Sequence, residues 1–145
     1  MRDENNDKNL DNESVQIAAN VAGKTILVAD DESHILHVVS LKLRNAGFRV
    51  VTARDGQEAF EMAQQEKPDL VITDYHMPQL SGLELCRKLK QDPSTQNIPA
   101  IMLTARGYHL EPHDTEQSGI LRMLSKPFSP RHLLATVNEV LTNAA

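Results

Sequence analysis

Five polar side chains follow or end short apolar segments of the sequence, and their chemistry is complementary. Asp30 and Asp31 follow a first apolar run, and Asp74 ends another. Thr104 and Lys126 come at the ends of two further runs. If these runs are parallel strands of one sheet, their carboxyl ends lie along one edge, where open α/β sheets bind ligands. Carboxylates, a hydroxyl and an ammonium group would then meet at that edge.

Asp74 has the most informative surroundings of the five. Residues 70–73 form a short apolar run rich in β-branched side chains, which is typical of a strand buried on both faces. Pro78 cannot donate a ladder hydrogen bond, so the strand must end before it. Asp74 therefore lies at the carboxyl tip of this strand. A capping or turn role is the alternative interpretation of a lone aspartate there, and the other strand ends shift the balance toward a binding site.

Carboxylates that share one edge of a sheet repel each other. Two of them about 5 Å apart, at an effective dielectric constant near 20, repel by roughly 3 kcal/mol. A group of three would raise each other's pKa or bind a cation, and Mg²⁺ is the first candidate because it prefers oxygen ligands. With Lys126 and Thr104 added, the set suits a phosphoryl group, whose oxygens need such neutralisation. Asp74 would be the nucleophile that forms an acyl phosphate.

Strands and helices alternate along the chain. Helices are predicted to begin at Ser33, after a turn at Asp55-Gly56, at Ser81-Gly82 and at Pro130, the last one capped by Ser129. Strands are predicted at residues 24–29, 48–53, 70–73, 98–103 and 120–124. This order predicts an α/β three-layer sandwich, a five-stranded parallel sheet with helices on both faces.

The fourth crossover, residues 106–119, is the least regular part of this pattern. Pro112 forbids a regular helix through the whole segment, because proline lacks the backbone N–H and clashes with the preceding turn. We expect no more than a short helix that begins near Glu111.

Composition limits the class of protein. Residues 1–22 are polar and rich in Asn, Asp and Glu, so we predict a disordered tail before one domain at 23–145. The single Cys86 excludes an internal disulfide and fits a reducing compartment. The net charge of −5 and the lack of a basic cluster interleaved with aromatics argue against nucleic-acid binding. No apolar run is long enough to span a membrane, and we expect a cytoplasmic location.

With these residues in place, the sequence resembles the response-regulator receiver domains of two-component signalling. The resemblance extends over about residues 24–141 and implies a flavodoxin-like (CheY-like) (βα)5 fold. It is carried by four motifs in order: Asp30-Asp31, Asp74-x-x-Met77-Pro78 with Gly82, Leu103-Thr104-Ala105, and Lys126-Pro127-Phe128.

The resemblance implies the roles of the acidic residues. Asp74 would accept a phosphoryl group from a histidine kinase or a histidine phosphotransfer protein. Asp31 and Asp74 would bind Mg²⁺ directly, together with the backbone carbonyl of His76, while Asp30 would bind it mostly through water. The side chain of His76 lies where family members tune the lifetime of the phosphoryl group.

The same resemblance implies the roles of the remaining site residues. Thr104 would donate a hydrogen bond to the phosphoryl group, and Lys126 would form an ion pair with it. The peptide bond between Lys126 and Pro127 would be cis, a form that is rare except before proline. The small Ala105 should leave the phosphoryl group open to water or to a partner.

The sequence also departs from the family pattern. Family members usually have an aromatic residue three positions before the lysine, and its inward movement accompanies the shift of the threonine. Met123 occupies that position here, and it follows Ile120, Leu121 and Arg122 instead of small and acidic residues. The aromatic switch is therefore not carried over to this chain, and the usual output face is in doubt.

Three functional hypotheses follow. The first is a stand-alone phosphorylation-dependent switch that acts on an unknown downstream protein and is not a turnover enzyme. The second is a degenerate receiver that serves as a phosphorylation-independent interaction module, against which the intact Asp31, Asp74, Thr104 and Lys126 argue. The third is a phosphohydrolase with an aspartyl nucleophile, but such enzymes have a second acid where this chain has His76.

Other reactive residues receive structural interpretations. Cys86 is expected to be buried and inert. The pairs His34/His37 and His109/His113 lack the further ligands of a zinc site and are expected to face solvent. The basic cluster of Arg87, Lys88 and Lys90 is interpreted as a solvated helix face.

Overall fold

A computed structural model of the chain describes residues 23–105 and 111–143. Five parallel strands form one sheet in the order β2-β1-β3-β4-β5. The strands are β1 (Thr25–Ala29), β2 (Arg49–Ala53), β3 (Leu70–Asp74), β4 (Ala100–Thr104) and β5 (Ile120–Ser125). The helices are α1 (Ser33–Asn45), α2 (Gly56–Glu66), α3 (Gly82–Gln91), α4 (Pro112–Ser118) and α5 (Pro130–Asn143). The predicted α/β class and element order are confirmed, whereas the predicted tail lies outside the described residues.

Two apolar cores lie on opposite faces of the sheet. Along β1, Ile26 and Val28 belong to the core beneath α1 and α5, and Leu27 and Ala29 belong to the core beneath α2 and α3. All four are fully buried. Side chains alternate between the two faces of a strand, so a strand covered on both sides must be apolar throughout. This burial holds the carboxyl ends of β1 and β3 rigidly beside each other.

Local capping residues set where several helices begin. The Asp55 carboxylate accepts a hydrogen bond from the Glu58 N–H at 2.8 Å, which caps α2. Ser81 and Glu84 form a reciprocal capping box at the start of α3. These contacts satisfy N–H groups that have no partner within the helix, and they confirm the predicted helix starts.

Helix α4 is a seven-residue helix that is attached to α3 mainly by polar contacts. Pro112 occupies the first helical position, where its missing N–H costs nothing, and only Ser118 is buried. Arg87 of α3 pairs with Asp114 of α4, and the Lys90 ammonium donates to the Glu116 carbonyl oxygen at 3.0 Å.

The interpretation of the basic cluster on α3 as a solvated face holds for Lys90, which is exposed, but not for Arg87 and Lys88, which are partly buried. Besides the contacts of Arg87 and Lys90, the Lys88 Nζ atom lies 4.4 Å from the centre of the Phe60 ring on α2. All three basic side chains interact within the fold, because the neighbouring helices offer an acid, a carbonyl and an aromatic face. Cys86 is buried as expected, and burial raises the pKa of its thiol to about 12. No helix in the described ranges has the length and hydropathy that a membrane span requires.

Candidate functional site

The sheet order brings the predicted site residues to one edge. Asp30 follows β1 and Asp74 ends β3, and these two strands are hydrogen-bonded neighbours. Thr104 ends β4, the next strand, and Lys126 follows β5. The chain crosses from one side of β1 to the other between β2 and β3, so the site lies at the point where the strand order reverses. Open α/β sheets bind their ligands at this position.

The three aspartates form the one group of metal-ligating side chains found within residues 23–105 and 111–143. Ligand oxygens of Asp30, Asp31 and Asp74 all lie within 4.8 Å of one another. Asp30 is fully buried, Asp74 is 6% exposed, and Asp31 is exposed to solvent. Oxygen atoms at this spacing, open to water on one side, fit a hard divalent cation such as Mg²⁺.

Lys126 places a positive charge next to the aspartates. Its Nζ atom lies 3.2 Å from Asp30 Oδ2, 3.1 Å from Asp74 Oδ1 and 3.4 Å from Glu32 Oε1. The Lys126 N–H donates to the Thr104 carbonyl oxygen at 2.8 Å, which continues the β4–β5 ladder and positions the lysine. The peptide bond before Pro127 is cis, as the sequence predicted.

One lysine does not neutralise the acidic cluster. Burial raises the pKa of Asp74, and the nearby charge of Asp30 raises it further, although Lys126 acts in the opposite direction. Burial likewise raises the pKa of Asp30. For Lys126, burial alone would lower the pKa, but the charges of Asp30 and Asp74 outweigh it and the pKa is raised. The site is thus short of positive charge, which agrees with the Mg²⁺ interpretation.

The Thr104 side chain supplies a buried hydroxyl group at the end of β4. Among residues 23–105 and 111–143, its Oγ1 atom has no hydrogen-bond partner. A buried hydroxyl without a partner costs about 1–3 kcal/mol, so such groups are rare unless a ligand, an ion or water satisfies them. Its position at the end of the strand beside β3 makes it available to a group bound at Asp74.

The loop after Asp74 is held against the acceptor by two glycines. A Cβ atom on Gly82 would lie 2.2 Å from the Asp74 carbonyl oxygen, so only glycine fits there. The Gly82 N–H donates to the Tyr75 carbonyl oxygen at 2.8 Å. On the other side, the Gly56 N–H at the start of α2 donates to the Pro78 carbonyl oxygen at 3.2 Å. Backbone hydrogen bonds therefore hold the loop that carries His76 at both of its ends, and the His76 side chain is exposed.

Met123 is packed against the core, whereas the two residues before it lie at the surface. Met123 is half-buried and packs against the core beneath α2 and α3. Leu121 is 49% exposed, and Arg122 pairs with Glu139 of α5. The position of the family's aromatic residue thus holds an apolar side chain that already contacts the core.

Glu32 is the site residue that the sequence interpretation missed. It follows Asp30 and Asp31 directly in the sequence, and its carboxylate contacts Lys126. Glutamate is a poor helix N-cap compared with Ser, Thr, Asp or Asn. Its occurrence at the cap of α1 was the signal that its side chain interacts elsewhere.

Comparison with known proteins agrees with this geometry. The family model for the response regulator receiver domain matches residues 26–138. The phosphate regulon transcriptional regulatory protein PhoB of Pseudomonas aeruginosa is 40% identical over 121 residues, which cover 83% of this chain and 53% of that protein. The alkaline phosphatase synthesis transcriptional regulatory protein PhoP of Bacillus subtilis is 39% identical over 118 residues, 81% of this chain and 48% of that protein.

A solved structure is similar over nearly its whole length. The chemotaxis response regulator CheY4 of Vibrio cholerae aligns with a TM-score of 0.76 at 33% identity, covering 82% of this chain and 99% of that one. By contrast, the chain spans about half the length of the curated relatives it matches. The five-stranded parallel fold, the acidic edge and the matched family model together establish that this chain belongs to the response regulator receiver domain family.

Proposed function

We propose that the protein is a phosphorylation-dependent switch that accepts a phosphoryl group on Asp74. The proposal rests on the two groups that lie near the Asp74 carboxylate. Lys126 lies 3.1 Å from its Oδ1 atom. The neighbouring strand ends in the buried Thr104 hydroxyl, which has no partner among the residues that the structure describes. A nucleophile, a cation and an unused hydrogen-bond donor are the groups that phosphoryl transfer to a carboxylate requires.

Each side chain has a separate role in the proposed reaction. A carboxylate oxygen of Asp74 attacks phosphorus, the bond from phosphorus to the donor breaks, and the donor leaves with that electron pair. Lys126 turns from the carboxylate to the arriving phosphoryl oxygens, and the Thr104 hydroxyl donates to another of them. Asp31 and Asp74 would hold Mg²⁺ with the His76 carbonyl, and Asp30 would hold it through water. The ion supplies positive charge that offsets the negative charge of the phosphoryl oxygens.

A histidine kinase or a histidine phosphotransfer protein is the proposed donor. Next to Lys126 lies a groove of about 380 Å³ whose walls are mainly apolar, including Ile35, Val38 and Phe128. Val38 is 42% exposed at its edge. An apolar surface next to the lysine of the acceptor site suits a protein donor that docks before it delivers its phosphoryl group.

The proposed output is a phosphorylation-dependent contact with a partner protein. The two curated relatives are named as transcriptional regulators, which favours control of transcription and a cytoplasmic location for the whole protein. That the receiver domain itself does not bind nucleic acid, and that it acts as a stand-alone regulator, both stay predictions. The phosphoryl group leaves again by hydrolysis, so the protein undergoes single cycles and is not a turnover enzyme.

Phosphorylation by acetyl phosphate with Mg²⁺, followed by intact mass, tests this function. We expect the mass gain of one phosphoryl group in the wild type and no gain in Asp74→Asn. Asp69→Asn is the matched control, because the Asp69 carboxylate accepts a hydrogen bond from the Thr25 N–H at the amino ends of the strands, away from the site. Absence of any gain in the wild type would favour the degenerate receiver, and release of many phosphates per protein would favour the hydrolase.

Replacement of Thr104 by valine tests the role of the unpartnered hydroxyl. Valine has nearly the same shape, so we expect Thr104→Val to leave stability unchanged or slightly increased, since a buried polar atom without a partner is removed. The rate of phosphorylation or the lifetime of the phosphoryl group should fall about tenfold or more, because the phosphoryl oxygens lose one hydrogen bond. A variant that is phosphorylated and dephosphorylated like the wild type would contradict this role.

A further inference from the structure

Glu32 occupies a helix cap without acting as one. It precedes α1 in extended conformation, and its side chain makes no capping hydrogen bond. The carboxylate turns instead toward the phosphoacceptor edge, where Oε1 lies 3.4 Å from Lys126 Nζ. A role in starting the helix therefore does not account for this side chain.

Lys126 has carboxylates on a buried side and on an exposed side. The buried side faces Asp30 and Asp74, whose side chains are 0% and 9% exposed. The exposed side faces Glu32, whose side chain is 48% exposed. The Glu32 N–H donates to Asp30 Oδ1 at 2.9 Å, and this backbone contact keeps the glutamate beside the lysine. A group that approaches Asp74 from solvent and uses Lys126 must compete with Glu32.

We propose that Glu32 is a specificity-determining residue that competes with the incoming phosphoryl group for Lys126 and so slows phosphorylation of Asp74 by small, highly charged phosphodonors. This inference rests on the proposed phosphoacceptor function. Glu32 acts through Lys126 and has no part in bond formation. Its charge repels an anionic donor, and its ion pair with Lys126 must break before the lysine can bind the phosphoryl oxygens.

A donor that docks on the adjoining groove can relieve this competition. Glu32 also lines that groove, together with His34 and Lys126. The Glu32 Oε2 atom lies 3.6 Å from His34 Nε2 on the first turn of α1, so the exposed carboxylate has room to move toward the groove. A bound protein that covers the groove can thus turn Glu32 away from Lys126, whereas a small free donor makes no such contact.

The expected change in phosphorylation rate is that of removing one negative charge near the acceptor. For a partly exposed carboxylate within several ångströms of the arriving phosphoryl group, neutralisation should raise the rate about three- to tenfold at low salt. The gain should scale with the charge of the donor. It should also shrink as ionic strength rises, because solvent-exposed charges are screened.

The test compares the wild type with Glu32→Gln and with Glu61→Gln as a control of equal charge change. Glu61 is exposed on α2, where it accepts a hydrogen bond from Gln57. Rates of phosphorylation are measured by intact mass with dianionic acetyl phosphate and with phosphoramidate, which has one net negative charge. In each case Asp74 gains the phosphoryl group, and acetate or ammonia leaves with the electrons of the broken bond. Thermal unfolding of each variant checks that the fold is unchanged.

We expect Glu32→Gln to be phosphorylated faster by acetyl phosphate, by about three- to tenfold at low salt, with a smaller gain for phosphoramidate. Glu61→Gln should match the wild type with both donors. An unchanged or lower rate in Glu32→Gln, or an equal gain with both donors, would overturn the role of Glu32. A wild type that gains no phosphoryl group would instead overturn the proposed function, so the two failures are distinguishable.

Discussion

Charged side chains are arranged in opposite ways at the two ends of α3. At its amino end, Gly82 packs against the Asp74 carbonyl, and Lys126 contacts the carboxylates of Asp30, Asp74 and Glu32. A fourth carboxylate, Asp31, lies beside Asp30 and Asp74. Toward its carboxyl end, Arg87 pairs with Asp114, and Lys90 binds a carbonyl oxygen of α4. The first region has an excess of like charge, whereas in the second both Arg87 and Lys90 have a partner on α4.

The difference separates a region built for binding from one built for stability. At the acceptor edge, burial and mutual repulsion raise the pKa of Asp74, and the Thr104 hydroxyl lacks a partner within the described part of the chain. These features lower stability until a ligand satisfies them. Between α3 and α4, by contrast, polar contacts replace the apolar contacts that α4 lacks. Neutralising a carboxylate should therefore raise stability at the acceptor edge and lower it between α3 and α4.

Removal of Lys126 should have the largest effect. Lys126→Met leaves Asp30 and Asp74 buried without a cation, so we expect the free energy of unfolding to fall by about 2–3 kcal/mol at neutral pH without Mg²⁺. Lys90→Met, at an exposed position, should cost less than about 1 kcal/mol. Urea unfolding of both variants measures the difference, and equal losses would contradict the contrast between the regions.

Mg²⁺ should stabilise the protein through the acidic edge alone. At a concentration about ten times the dissociation constant, a ligand that binds only the folded state adds about 1.4 kcal/mol to the free energy of unfolding. We expect this gain in the wild type and in Asp114→Asn, and its loss in Asp31→Asn. Thermal unfolding with Mg²⁺ or with a chelator provides the measurement. A gain that persists in Asp31→Asn would place the ion elsewhere.

Neutralisation of the acceptor should stabilise the metal-free protein. Because the pKa of Asp74 is raised in the folded state, its ionised form is less favourable there than in the unfolded chain. We expect Asp74→Asn to add on the order of 1 kcal/mol at neutral pH, reflecting relief of repulsion between nearby carboxylates.

The stabilisation by Asp74→Asn should depend on pH with a definite sign. It should be complete above the folded-state pKa of Asp74 and should vanish as the pH falls below about 4, where the carboxyl is protonated in both states. Unfolding by urea across this pH range is the measurement. A variant that is less stable than the wild type at neutral pH would show that the pair with Lys126 outweighs the repulsion.

The pair between α3 and α4 should give the smallest effect, with the opposite sign. Arg87→Gln and Asp114→Asn should each lower stability, and a double-mutant cycle should yield a coupling of about 0.5–1 kcal/mol. The coupling should decrease with added salt, because both side chains are partly exposed. A coupling near zero would mean that α4 is held by its other contacts.

Much of the fold was predictable from local patterns. The continuous apolar run before Asp74 identified β3, and Ser81 marked the start of α3. The predicted Asp55-Gly56 turn is where α2 begins, with Asp55 as its cap. Strand and helix ends differ from the predictions by one or two residues, as for β4, which includes Thr104 as its last residue. The predicted chemistry of Asp74, Thr104 and Lys126 also depended only on residue types at strand ends, which parallel strands bring to one edge.

Residue periodicity and capping chemistry act over a few positions, so the sequence by itself determined the elements and the groups offered at their ends. Only the tertiary structure decided which of these groups share one cation. Glu32 and Lys126 are 94 positions apart, and Arg87 and Asp114 are 27 apart. Such contacts depend on the order of strands and on the helix that packs alongside. A local pattern contains no information about the strand order or the helix packing, because both are selected by the free energy of burying the whole sheet.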